Sequence, residues 1–76
     1  MPKLRVLSGK KLVSALQKEG FIITRQKGSH VRLSLGSSSS LTIPLHPELD
    51  RGTLKAIIRA LERVLPKTKL DKIFYQ

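Results

Sequence analysis

The segment His30-Val31-Arg32-Leu33-Ser34-Leu35 alternates apolar and polar residues without a break. A period of two sets Val31, Leu33 and Leu35 on one face of a β-strand and His30, Arg32 and Ser34 on the other. Such a strand belongs in an antiparallel sheet with one face on a core and one in water. Leu41-Thr42-Ile43-Pro44-Leu45 repeats the pattern, with Leu41, Ile43 and Leu45 inward. Pro44 has no N–H to donate, so this strand lies at an edge or ends there. Upstream, residues 21–26 (FIITRQ) are rich in β-formers and run into Lys27-Gly28-Ser29, a turn signal. Gly36 and the serines 37–40 make a polar hairpin loop between the second and third strands.

Helical patterns flank the three strands. Ser8 is placed to cap a helix over about residues 9–19, whose apolar stripe is Leu12, Val13 and Leu16 and whose stop is Gly20. Asp50 is an N-cap candidate, and Arg51-Gly52-Thr53 would form the next first turn. The stripe Leu54, Ile57, Ile58, Leu61, Val64 and Leu65 is the strongest helical signal in the chain, and Pro66 ends it. Thr68 is a candidate cap for a last short helix with Leu70, Ile73 and Phe74 on one side. The expected fold is α+β in the order α-β-β-β-α. Two amphipathic helices cover one face of a three-stranded antiparallel sheet, and a short C-terminal helix follows. One domain spanning residues 1–76 is expected. The other sheet face stays open, with His30 and Arg32 on it.

At 76 residues the chain has little room for a deep core. With no cysteine it has no disulfide framework, no thiolate metal site and no cysteine nucleophile. No apolar run approaches the roughly 18 residues of a membrane span, and the first residues lack the apolar stretch of a signal peptide. A cytoplasmic protein with no membrane role is expected. Fifteen Lys and Arg stand against five Asp and Glu, a formal net charge of +10. A small body so charged repels itself and attracts polyanions: RNA, DNA, an acidic protein or an anionic surface. Residues 1–47 carry eight of the bases and one acid, a net of +7, so the anion-binding face belongs mainly to the first two thirds.

His30 is the most informative residue. It opens a strand on the wet face beside Arg32, with Arg25 and Lys27 coming from the neighbouring strand end. A histidine there can trade a proton near neutral pH while cations hold a phosphate. RNA cleavage without a metal needs little more: a base for the ribose 2′-OH, an acid for the leaving 5′-oxygen, and positive charge for the transition state. The plainer alternative is a surface strand residue without a task. Gly28-Ser29 could offer backbone N–H groups to a phosphate, or serve only as a hairpin turn. Lys10 and Lys11, at the start of the first helix, add to the cations expected to bind phosphate. His46, before Pro47, is a candidate second acid or base, or a cap for the following helix. The two histidines are too sparse for a metal site, and no cofactor is expected. Lys55, Arg59 and Arg63 make a positive stripe on the second helix, either an ordinary solvated face or a contact for phosphates or an acidic partner.

Together and in order, the Ser-Gly-Lys start of the first helix, Gly28-Ser29-His30, the Pro-x-His of Pro44 and His46, and Gly52-Thr53-Leu54 strongly resemble the HicA-type (YcfA-like) toxins of bacterial and archaeal toxin–antitoxin systems. The resemblance covers the chain from about residue 4 to 74. It implies a fold like that of a double-stranded RNA-binding domain and an endoribonuclease activity on messenger RNA that arrests growth. It puts the catalytic histidine on His30, and it implies a HicB-type antitoxin acidic enough to cover the basic face. There are departures. Lys11 stands where many relatives have a capping-box Glu. Val31 stands where many have a second histidine, and the loop 36–40 is serine-rich where charged or Pro/Gly loops are common. Two other readings remain. One is an RNA-binding module without catalysis, working through shape, phosphates and 2′-OH groups. The other is an interaction protein whose basic face serves only an acidic partner.

Overall fold

The computed structural model describes residues 3–37 and 39–76. Its elements are α1 (Gly9–Lys18), β1 (Ile22–Lys27), β2 (His30–Leu35), β3 (Ser39–Pro44), α2 (Arg51–Leu61) and α3 (Lys67–Phe74). The strands form one antiparallel sheet in the order β1-β2-β3, the α+β arrangement expected from the alternation. Among the described residues no helix is long and apolar enough to cross a membrane.

One sheet face is dry. Val31 and Leu33 of β2 and Ile43 of β3 are buried, and they join Leu12 and Leu16 of α1, Leu54, Ile57 and Leu61 of α2, and Leu70 and Phe74 of α3 in one cluster. Each of these side chains contributes about 1.5–3 kcal/mol by leaving water. Phe21, just before β1, is core as well. The residues between them on the strands are exposed, His30 and Arg32 included, so the helices cover one face and leave the other open.

Local chemistry sets the element ends. The Ser8 hydroxyl accepts from the Lys11 N–H at 3.1 Å, so the cap on α1 forms without an acid in the first turn. Gly20, at φ 102°, takes the left-handed conformation that closes α1. At α2 Asp50 sits in the N-cap position but makes no capping hydrogen bond. The Thr53 hydroxyl beside it is the main influence holding its carboxyl below the ordinary value.

Three boundaries differ from expectation. β3 starts at Ser39 rather than at Leu41, because Ser39 and Ser40 pair with Leu35 and Ser34. Backbone pairing there overrides the polar composition of the serine run; Ser38 lies outside the described residues. α2 stops at Leu61, four residues short of the stripe's end, and the chain turns through 62–64. Val64 and Leu65 both donate to the Leu61 carbonyl, at 2.9 and 2.8 Å, and Leu65 is still buried. Helical spacing therefore persists without a helix. α3 begins at Lys67 with Pro66 in the N-cap position, so Thr68 is inside the helix rather than capping it. Proline suits a helix start because its missing N–H would be unpaired there.

A terminal pairing completes the layers. Leu4 bridges Tyr75, with Lys3 and Gln76 exchanging hydrogen bonds of 3.1 and 3.0 Å. Glu19, after α1, meets Lys69 of α3 at 2.8 Å, which is the one ion pair among the described residues.

Candidate functional site

The open sheet face owes its charge to an irregularity in β1. Ile23 pairs with Leu33, but the next paired residue is Arg25, opposite Arg32. Thr24 is the extra residue of a β-bulge, and its hydroxyl donates to the Arg32 carbonyl at 3.4 Å. In an unbroken strand Arg25 and Lys27 would share the face of Ile23, toward the core. The bulge shifts the phase by one, so Arg25 lies opposite Arg32, and Lys27 opposite His30, on the wet side. All six residues of β1 are exposed.

The hairpin tip fixes the histidine. Lys27 pairs with His30 across a two-residue turn, Gly28-Ser29. Gly28 has φ 58° and, among the described residues, no non-glycine residue has a positive φ, the pattern of a type II′ turn with glycine first. The Ser29 carbonyl accepts from the Leu45 N–H at 2.6 Å, which ties the tip to the end of β3. On its other side His30 pairs with Pro44. His46 is two residues further on, and its carbonyl accepts from Gly9 N–H at 3.0 Å, so the chain brings His46 to the same end of the sheet as His30. Both side chains are exposed.

Arg25, Lys27, His30 and Arg32 therefore share one face. Directly opposed side chains in such a pair are about 5 Å apart at Cβ, close enough for like charges to repel. No acid occurs between Glu19 and Glu48, so no carboxylate on the strands offsets this charge. Arg32 is oriented by Ser40, whose Oγ accepts from Arg32 Nη2 at 2.8 Å. Lys10 and Lys11 are elsewhere. They line a groove with Arg5, Lys18 and Lys72, between α1 and the end of α3, and do not join the sheet face. Among the described residues no three His, Cys, Asp or Glu gather as metal ligands.

The bulge and the Ser40 contact were not legible in the sequence. The run Ile22-Ile23-Thr24-Arg25 has no alternation to break, and a serine in a serine-rich loop carries no sign that it begins a strand.

A bare cationic sheet face with a histidine at its edge, backed by helices on the other side, defines a small basic α+β protein. The family model described as HicA toxin of bacterial toxin-antitoxin matches residues 9–62, from the start of α1 to just past α2. The chain belongs to the HicA toxin family, and as the toxin of a toxin–antitoxin system it has an antitoxin as its counterpart. No curated protein and no solved structure matches it.

Proposed function

We propose that this toxin is an endoribonuclease that cleaves messenger RNA with His30 as general acid or base. The observation that carries the reading is the union of Arg25, Lys27, His30 and Arg32 on one solvated face without a carboxylate on the strands. A phosphodiester laid across β1 and β2 meets the guanidinium groups of Arg25 and Arg32 and the Lys27 ammonium. These cations stabilise the extra charge of the transition state without reorganising.

The ribose supplies the nucleophile. A base takes the 2′-OH proton, the 2′-oxygen bonds to phosphorus, and the bond from phosphorus to the 5′-oxygen breaks. The leaving 5′-oxygen takes a proton, giving a 2′,3′-cyclic phosphate and a 5′-OH. His30 serves one of the two proton transfers. His46 is the accessory candidate for the other, since its backbone is held at the same end of the sheet. DNA lacks the 2′-OH and is spared. The three cations supply the charge stabilisation that a metal would otherwise provide, so the proposed reaction is metal-independent. The Gly28-Ser29 turn is proposed to offer N–H groups to a neighbouring phosphate. The antitoxin counterpart is proposed to be HicB-type, with an acidic surface that covers this face.

The test is a gel of single-stranded RNA incubated with the toxin in EDTA, with His30→Ala alongside. Cleavage by wild type and a loss of at least about a hundredfold in the variant is the expected result, since general acid–base catalysis contributes at least that much. Equal cleavage by both removes His30 from the chemistry. Binding without cleavage by either protein, weakening steeply with salt, identifies an RNA-binding module instead.

A further inference from the structure

We infer that the RNA strand leaves the His30 face over Ser40, rounds the β3 edge, and lays its phosphates against Arg59 of α2 and Arg63 of the turn that follows it. This deepens the ribonuclease reading and rests on it. A groove of about 470 Å³ runs between the start of β3 and α2, lined by Ser39, Ser40, Arg59, Ala60, Arg63 and Val64. Arg59 is on the last turn of α2 and Arg63 in the turn after it, while the two serines come from a hairpin some twenty residues earlier, so only the fold assembles them.

Three observations favour an RNA strand as the occupant. First, the groove is continuous with the proposed catalytic face, because Ser40 lines it and also accepts the hydrogen bond from Arg32 at 2.8 Å. Second, its charge is unmet. Arg59 and Arg63 are exposed, and neither is in an ion pair. The neighbouring Glu62 lines a different groove, with Ile58, Leu65 and Leu70, and does not face them. Third, four of the six described lining residues carry hydroxyls or guanidinium groups, beside Ala60 and Val64. Hydroxyls and arginines hold phosphate and sugar without reading sequence. A protein partner would need an apolar centre that this groove lacks.

The experiment compares RNA affinity in the full chain carrying His30→Ala, with and without Arg59→Ala/Arg63→Ala, across a salt series. Two lost phosphate contacts should weaken binding of a long single strand roughly tenfold and lower the salt slope by about 1.4. The loss should be equal for different base sequences. In the chain with His30 intact, the double substitution should slow cleavage of the long strand and leave a dinucleotide unaffected. Arg59→Lys/Arg63→Lys should keep most of the affinity, since charge rather than fork geometry carries the contact. Unchanged affinity in a chain that still binds RNA overturns the path and leaves the ribonuclease reading standing. Equal loss on long and dinucleotide substrates also overturns it. A parent that neither binds nor cleaves RNA overturns the ribonuclease reading and the path together.

Discussion

A methyl group at Gly9 would lie on the carbonyl oxygen of Pro44 and at 2.8 Å from the Leu45 Cα. Those neighbours are backbone and cannot rotate away. Helix propensity alone predicts that Gly9→Ala helps, by up to about 1 kcal/mol. The contact predicts the reverse, because α1 must move off the end of β3. The expected loss is about 2–3 kcal/mol, in the range of overpacked sites. The Gly9 N–H also donates to the His46 carbonyl, and Pro44 pairs with His30. The same displacement therefore reaches the proposed site, and cleavage should fall with stability. Urea unfolding of the two proteins checks this. A variant as stable as wild type would show that the layers have slack here. The glycine that contributes to the family resemblance at the start of α1 thus has a packing reason, independent of any contact with RNA.

The bulge in β1 is the element on which the charged face depends. Thr24 is the residue without a cross-strand partner, and it alone sets the phase between Ile23 and Arg25. Deleting Thr24 leaves Ile23 opposite Leu33 and Arg25 opposite Arg32 in a regular ladder. The deletion is therefore expected to fold, to cost less than about 1 kcal/mol, and to keep RNA affinity within about threefold, since the same side chains stay outward. Circular dichroism, urea unfolding and a binding titration check these in turn. Failure to fold would mean that the added twist of the bulge, rather than its phase, is what the sheet requires. The case also marks how far the sequence was legible. Residues 30–35 and the Leu54–Leu61 stripe declared their faces by periodicity, and His30 fell on the wet face as the alternation required. β1 declared only that it was a strand, because adjacent isoleucines have no phase. The terminal pairing of Leu4 with Tyr75 and the approach of Arg59 to Ser40 join residues far apart in the chain, and no local pattern carries such information. α3 lies beyond the matched residues 9–62 yet supplies Leu70 and Phe74 to the core, so the family pattern is shorter than the structure it needs.

At the scale of the whole molecule, charge is set against compactness. A net charge of +10 sits on a body 36 × 25 × 19 Å across, with one ion pair among the described residues. At 0.01 M salt the screening length is about 30 Å, so a cation on one side repels most of the others. At 0.15 M it is about 8 Å, and only neighbours such as Arg25 and Arg32 still interact. Unfolding lets like charges separate, so the free toxin is expected to gain stability as salt rises over this range. If screening recovers about 1 kcal/mol, the melting temperature should rise by roughly 4–8 °C. RNA affinity should move the other way, because binding releases counterions and each released ion opposes association in salt. An anionic partner does locally what salt does globally, so RNA or an acidic antitoxin should raise the melting temperature most at low salt, where self-repulsion is greatest. Thermal melts across the salt series, with and without single-stranded RNA, read both effects in one experiment. A melting temperature that is flat or falls with salt would mean that the cations are spaced widely enough not to strain the fold. The unpaired charge would then act only in recognition and carry no cost in the free protein.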